Sequence, residues 1–466
     1  MGKMGYQEKN AWRELEKAEQ EEVFKLAADY AAFISENKTE REITSRTREL
    51  LEEAGFEQLS EVEVLESGDK IYSVNRGRGI MAAVIGQKPL DEGLRLLGSH
   101  IDSPRIDLRP NPLFEKEELL FLDSHYYGGI KKYQWVTIPL ALHGIVVKTD
   151  GSKVDIKIGE EEDDPVFYIT DLLIHLSQEQ LKKKMSEGIT GEKLNILIGS
   201  IPLEGEEEED NDGQKKVKAA ILQLLEEKYG IEGEDFVSAD LQIVPAFKAR
   251  DVGFDRGLLA GYGHDDRVCS FAALQAILEA EEPRKTAVTL LVDKEEIGSM
   301  GSTGMKSRFF ENKIAEMIAR YYENYSDLIL RQVLTNTEAI SGDVNAGYDP
   351  DFSGQYSKNN SAYLGKGMVL TKYTGSRGKA GASEASAEFM GKVRGLLNDS
   401  GVIWQIGELG KVDKGGGGTI AQFLANYNMD VVDAGPPLLS MHSPYEIVSK
   451  VDLYNTYLAY LVFLEQ

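Results

Sequence analysis

A six-residue, β-favouring run, Ala287 to Val292, ends abruptly in acid in the stretch TAVTLLVDKEEIGSMG. The run predicts a buried strand of a parallel sheet, and Asp293, Glu295, Glu296 and Gly298 fall where that strand gives way to a loop. Upstream, residues from about 10 to 55 carry helical periodicity. Leu15, Val23, Leu26, Ala27, Tyr30, Phe33 and Ile34 form one apolar stripe, the break lies within Asn37 to Thr44, and Gly55 ends the second helix. From Lys70 the pattern shortens to strands, IYSVN, IMAAVIG and LRLLGSH, separated by turns such as RGRG.

Between about Asp107 and Pro245 this rhythm is interrupted. Strand-like HGIVVKTDG and KVDIKIG are followed by a helix-like TDLLIHLSQEQLKKKM and by the acidic loop EGEEEEDNDGQ, whose like charges favour an exposed, mobile segment. After Pro245 the α/β pattern returns, with a helix from Ser270 to Ala280, a helix from Asn312 to Tyr322, strands near Ala339 and in VIWQIGE, and a closing helix from Lys450. The chain therefore reads as α/β, with one domain made of residues 1–106 and 246–466 and a second domain, 107–245, inserted into it.

Composition narrows the function. The 78 acidic against 52 basic side chains leave a net charge of −26. Nucleic-acid binding rests on clustered Lys and Arg, so this balance argues against it, and against anionic membrane surfaces. Cys269 is the only cysteine, so no intrachain disulfide is possible and the cytoplasm is the expected location. No signal peptide or membrane span is predicted.

Acidic strand ends gain chemical meaning when other ligands join them. A two-metal site needs nitrogen and oxygen ligands from separate strand ends, a bridging carboxylate and a spare base. His100 ends one predicted strand, and Asp102, two residues on, is placed to hydrogen-bond its imidazole. Asp265 opens a helix after Gly263, where a helix N-cap is its rival reading. Glu295 and Glu296 offer a base and a ligand, Asp343 ends another strand, and His442 lies in a loop behind a Pro-Pro turn. Such ligands accept zinc, cobalt or manganese.

The ordered motifs GSHIDSP, GHDDRVCS, DKEEIGS, SGDVNAG and LSMHSPYE resemble those of the M18 family of metalloaminopeptidases, the aspartyl aminopeptidase and vacuolar aminopeptidase I group. The resemblance covers nearly the whole chain. It implies a mixed-sheet co-catalytic zinc peptidase domain with an inserted, mostly β dimerisation domain, and removal of N-terminal residues from peptides with a free N-terminus. Carried over residue by residue, it makes His100 and Asp343 ligands of one metal, Glu296 and His442 ligands of the other, and Asp265 the bridge. Glu295 becomes the general base and Asp102 the residue that orients His100. His175 in DLLIHL matches a family histidine that reaches a neighbouring subunit's site and stabilises the oxyanion. Family members form homododecamers with the active sites facing a chamber.

Asp266 stands where the family usually has Asn, so it is the alternative bridge, and a contact with Arg267 would neutralise its charge. Lys372 and Arg377, in VLTKYTGSRGKAG, are the nearest basic candidates for holding an acidic P1 side chain. The run Gly415–Gly418 lacks a phosphate-loop continuation and reads as a flexible wall beside the substrate. His264 reads as an outer neighbour of the site, His125 and His143 as structural or contact residues, and Cys269 as a buried small residue. The competing readings are a carboxypeptidase or deacylase using the same metals, which N-blocked substrates would reveal, and a silent assembly protein of the same fold.

Overall fold

The computed structural model describes residue 6 and residues 8–203 and 216–466. The acidic loop EGEEEEDNDGQ lies outside the described residues. The chain divides into two compact units, one of residues 1–103, 248–441 and 445–466, the other of residues 104–247 and 442–444.

The first unit is built on a mixed nine-stranded sheet. At its centre Ala287–Val292, Arg95–His100, Glu338–Ser341 and Asp430–Gly435 run parallel to one another in that order. Ile80–Val84 and Lys70–Val74 extend the sheet antiparallel on one side. On the other side Met368–Thr371 runs antiparallel to Asp430–Gly435. Every residue of Ala287–Val292 is buried, and the reason is that helices cover both faces. Leu97, Leu291, Ile340 and Val432 face one apolar core, shared with Tyr30, Ile43, Phe271, Leu274, Leu453 and Tyr460. Their alternates Leu96, Leu290, Ala339 and Val431 face a second core with Phe310, Ile314, Met317 and Val333. A strand buried on both sides has no polar face to show, so it reads as a continuous apolar run. Each fully buried Leu or Ile contributes roughly 1.5–3 kcal/mol, which makes these strand centres the rigid base for the loops at their ends.

The helices begin and stop for local reasons. Lys17–Glu36 and Glu40–Glu53 are separated at Thr39, whose side chain accepts from the Glu42 N–H at 3.2 Å while the Glu42 carboxylate accepts from the Thr39 N–H at 3.0 Å. This reciprocal cap satisfies two N-terminal donors and fixes where the second helix starts. Helices Asp327–Asn336 and Ala387–Asp399 were not predicted by the sequence reading. A smaller five-stranded sheet, including Leu258–Gly261 and Glu446–Ser449, completes this unit.

The second unit carries a six-stranded antiparallel sheet and the helix Lys216–Tyr229. The segment TDLLIHLSQEQLKKKM, expected to be helical, holds only the short turn Ile174–Leu176 before the four-residue helix Met185–Gly188. The physical reason is visible in its side chains: Leu172, Leu173, Ile174, Leu176, Leu181 and Met185 are 46 to 69% exposed. An amphipathic helix is held mainly by burying its stripe, and among the described residues this stripe is not buried. Asp171 instead bonds the Leu172 N–H at 2.7 Å and Ser177 bonds the Ile174 carbonyl at 2.9 Å, local bonds that compete with helix. Among the described residues no helix is long and apolar enough to cross a membrane.

Candidate metal centre

Parallel strands deliver their carboxyl ends to one edge of a sheet, and that edge gathers the polar residues of the first unit. His100 is paired in register with Val292, so the histidine emerges beside the loop that carries Glu295 and Glu296. Asp343 follows Glu338–Ser341 by two residues, and the Gly342 N–H to Gly98 carbonyl bond at 2.6 Å holds it against the same strand. Asp265 comes from the start of the helix His264–Glu279, where Gly263 takes a left-handed φ of 78° and a Cβ would stand 2.5 Å from Arg267 Nη1. Asp265 itself has φ −82° and ψ 105°, outside the helix, and its side chain turns to His100 and not to the helix amides.

The resulting cluster is tight. Donor atoms of His100, Asp265 and Asp343 lie within 4.8 Å of one another, and the Asp265 and Glu296 carboxylates approach within the same limit. His100 Nε2 stands 3.3 Å from Asp265 Oδ1 and 3.9 Å from Glu295 Oε2. On the other side of its ring Nδ1 lies 3.0 Å from the Asp102 carbonyl and 3.4 Å from Asp102 Oδ1. The Asp102 carboxylate does more than face the imidazole: Oδ1 accepts the backbone N–H of Glu295 at 3.1 Å and Oδ2 that of Glu296 at 3.2 Å.

Charge is badly balanced in this group. Burial pushes the Asp343 carboxyl well above its ordinary range, and the charge of Asp266 adds to it while His100 opposes it. Burial alone would disfavour the His100 imidazolium, yet hydrogen bonds to Asp102 and Asp265 and the charge of Glu295 outweigh it and raise the pKa well above the ordinary value. Converging carboxylates that hold protons in this way are what a divalent cation relieves, because it supplies the missing positive charge at the same donors. Imidazole nitrogen and carboxylate oxygen are the donors zinc, cobalt and manganese accept, so the residues fit the ions.

Comparison with known proteins agrees with the geometry. The family model for aminopeptidase I zinc metalloprotease (M18) matches residues 33–464. The chain belongs to the M18 family of zinc metalloaminopeptidases. A probable M18 family aminopeptidase 1 of Clostridium acetobutylicum is 51% identical over 460 residues, covering 98% of each chain. The crystal structure of an M18 aminopeptidase from Thermotoga maritima superposes with a TM-score of 0.94 at 46% identity, covering 99% of this chain and 100% of that one. That of aminopeptidase I from Clostridium acetobutylicum gives 0.91 at 49% identity, with the same coverage.

Around the M18 core several residues stand where the sequence reading did not put them. Asp266 belongs to neither donor cluster, and Arg267 does not neutralise it: the guanidinium donates to the Lys38 carbonyl at 2.7 Å and the Ile101 carbonyl at 3.3 Å. Geometry thus sets Asp265, and not Asp266, between the two clusters. His264 is a core residue, buried between the Tyr30 hydroxyl at 2.8 Å from Nδ1 and the Leu259 carbonyl at 3.2 Å from Nε2. Burial pushes its pKa down to about 3, so the neutral ring accepts from Tyr30 and donates to Leu259. Cys269 is buried as expected, and His143, expected to be structural, bonds Glu160 at 2.9 Å.

His442 and His175 belong to the second unit. His442 is half-buried with Nδ1 2.8 Å from the Gly129 carbonyl, and His175 is exposed. Lys372 and Arg377 are exposed in the first unit, Arg377 with a φ of 50°. The glycine run serves chain packing: Gly375 N–H donates to the Gly417 carbonyl at 2.6 Å, and a Cβ on Gly415 would stand 1.5 Å from the Leu409 carbonyl oxygen. Glu446 was missed altogether. Its buried carboxylate accepts the Asp265 N–H at 3.1 Å, while Ser103 donates to the Asp265 carbonyl at 2.7 Å, so both peptide groups flanking the shared carboxylate are held. No local pattern marks such a residue, because the contact spans 181 positions.

Proposed function

We propose that this M18 aminopeptidase works with two divalent ions, most simply zinc, and that Asp265 bridges them. The supporting observation is that Asp265 donors lie within 4.8 Å of those of His100 and Asp343 and also within that distance of Glu296. In this reading His100 and Asp343 complete one site, and Glu296 with His442 the other. Bound there, the ions supply Lewis acidity toward the scissile carbonyl and acidify the attacking water.

The chain's own residues do the rest. Glu295, whose Oε2 stands 3.9 Å from His100 Nε2, takes the proton from the attacking water and returns it to the leaving amine. Asp102 holds the imidazole of His100 and, through two peptide N–H groups, the turn that carries Glu295. A free substrate N-terminus sits at the metal edge, which makes the activity exopeptidic. His175 stabilises the oxyanion in a neighbouring subunit's site, and the exposed apolar side chains around it, Leu173 to Leu176, are the surface that such an assembly covers. The assembly in this reading is a homododecamer in the cytoplasm. Lys372 and Arg377 are the candidates for an acidic P1 side chain.

The deciding experiment is Glu295→Gln, purified with its metal content measured and assayed on aminoacyl and peptide substrates. Loss of turnover at unchanged metal content is expected, and a metal-loaded variant at the parental rate removes Glu295 as the base. A panel of acidic and apolar aminoacyl substrates assigns the P1 preference. Lys372→Ala that leaves a measured acidic preference intact takes that lysine out of the pocket.

A further inference from the structure

We propose that Arg78 is a positioning residue for the general base, acting through Asp293; the inference rests on the reading of Glu295 as that base. The residues concerned lie outside the metal ligands and come from three distant segments. Arg78 sits at the tip of the hairpin joining Lys70–Val74 to Ile80–Val84, in the turn Asn75–Arg76–Gly77–Arg78 closed by the Arg78 N–H to Asn75 carbonyl bond at 3.0 Å. The two central residues of that turn, Arg76 and Gly77, have φ of 53° and 69°, the hand that matches strand twist, and the Asn75 N–H to Gly79 carbonyl bond at 2.8 Å closes the hairpin around residues 76–78. The tip is therefore a defined structure and not a loose loop.

From that tip one guanidinium reaches two fully buried carboxylates. Nη2 is 2.7 Å from Glu40 Oε1, in the first turn of the capped helix Glu40–Glu53, and Nε is 3.1 Å from Asp293 Oδ2. Side-chain exposure is 0% for both acids and 16% for the arginine. Asp293 is the first residue past the central strand and begins the loop that carries Glu295. Its Oδ2 is also 2.6 Å from Lys294 Nζ and accepts the Thr303 hydroxyl at 2.7 Å, and Lys294 Nζ donates to Thr303 Oγ1 at 2.8 Å. The far end of the loop is tied to the same hairpin, because Asn75 Nδ2 donates to the Ser302 carbonyl at 3.1 Å.

Both ends of the segment 293–303 are thus fastened to the hairpin tip, and the Arg78 and Lys294 cations both stand against the buried Asp293 carboxylate. Lys294, between Asp293 and Glu295, holds a left-handed φ of 68°. A non-glycine residue in that region is retained only where surrounding contacts fix it, and the Lys294 ammonium is fixed by the acid that Arg78 holds. Loosening Asp293 frees the turn at Lys294, and the carboxylate of Glu295 moves with it. Asp102 grips the Glu295 and Glu296 amides from the other side, so the base is set by two clamps, Asp102 at its own amide and Arg78 through Asp293.

The test uses the full-length, zinc-loaded enzyme in its native assembly and three variants: Arg78→Met, Arg78→Lys, and Arg78→Met combined with Glu40→Gln. Activity is expressed per metal-loaded site, and thermal stability is recorded alongside. Arg78→Met is expected to lower kcat about ten- to hundred-fold with KM within about twofold, the pattern of lost orientation of a catalytic group and not of lost substrate binding. Arg78→Lys, which keeps the charge but loses the fork, is expected to recover part of that loss. The double variant also removes the Glu40 charge that faces Arg78, and its kcat is expected to stay low. Parental kcat per metal-loaded site in Arg78→Met, or in the double variant, overturns the proposal. Glu295→Gln measured in parallel separates the two levels: if it keeps the parental rate, the base assignment falls and this inference with it, whereas an inactive Glu295→Gln beside a fully active Arg78→Met overturns only the role of Arg78.

Discussion

Asp102 accepts the backbone N–H of Glu295 at 3.1 Å through the same oxygen that stands 3.4 Å from His100 Nδ1. One buried carboxylate therefore holds both the His100 imidazole and the Glu295 peptide, the ligand and the base of the proposed mechanism. Removing it disturbs ligand orientation and base orientation together. Asp102→Ala is expected to weaken metal affinity by roughly 10–100-fold and to lower kcat even at saturating zinc. Asp102→Asn keeps one acceptor oxygen, so it is expected to retain more affinity than Ala. Zinc titration of chelator-stripped protein followed by turnover at saturation separates the two effects; equal losses for Ala and Asn would mean that charge, and not the hydrogen bonds, carries the role.

Asp433 offers a cleaner view of burial. It lies on the central strand Asp430–Gly435, accepts the Thr419 hydroxyl at 2.6 Å, and through it anchors the end of the glycine run. Burial pushes its pKa up to about 6, against the pull of its hydroxyl partners. A carboxyl raised in the folded state binds its proton more tightly there than in the unfolded chain. Its stabilising effect is present below the unfolded pKa of about 4 and is lost as pH rises toward 6. Asp433→Asn, which still accepts from Thr419, is expected to match the parent near pH 4 and to exceed it above pH 6. The gain is at most about 3 kcal/mol, the equivalent of a pKa difference of about two. Thermal unfolding at the two pH values checks the sign, and a parent more stable than the variant at pH 7 contradicts it.

How much of this was legible beforehand follows from where each residue's constraint resides. The central strands were readable because two-sided burial leaves an uninterrupted apolar run, and the closing helix because Leu453, Tyr457, Tyr460 and Leu461 recur at helical spacing. That His100, Glu295 and Asp343 gather at one sheet edge was readable because they fall at or just past strand ends, a position with chemical meaning in a parallel sheet. Helix Ala387–Asp399 escaped notice because Phe389, Val393 and Leu397 are its only buried residues, too sparse a stripe to stand out. The segment 170–185 misled for the opposite reason: its apolar residues have helical spacing, but among the described residues they stay exposed. Asp265 and Asp266 are adjacent in sequence, yet only Asp265 joins the donor clusters, a difference set where both residues depart from helical dihedrals. Glu446, Arg78 and Glu40 act through contacts between remote segments and have no local signature at all.

His264 tests the difference between a residue near a site and a residue of the site. Its Nδ1 accepts from the buried Tyr30 hydroxyl at 2.8 Å, and the ring joins neither donor cluster. Tyr30→Phe deletes the donor and leaves a buried ring nitrogen unsatisfied, a cost of roughly 1–3 kcal/mol. The expected result is a lowered unfolding temperature with zinc affinity within about twofold of the parent, since the effect on metal ligands is indirect. A large loss of zinc affinity at unchanged unfolding temperature would instead make His264 part of the metal environment.

His175 yields the last prediction, because the reading that sends it to a neighbouring subunit makes each active site a composite of two chains. An exposed histidine flanked by exposed Ile174 and Leu176 has no reason to be sensitive within an isolated chain. His175→Ala is therefore expected to keep its fold and its zinc while losing kcat, and Glu295→Gln to lose kcat through a different part of the site. Mixed assemblies, formed by dissociating and reassembling the two inactive variants together, contain sites with an intact Glu295 from one chain and an intact His175 from the other. Turnover that reappears only after co-assembly, in proportion to the mixing ratio, is the expected outcome. If the mixture stays as inactive as its parts while both variants bind zinc and assemble normally, His175 serves its own chain's site or none.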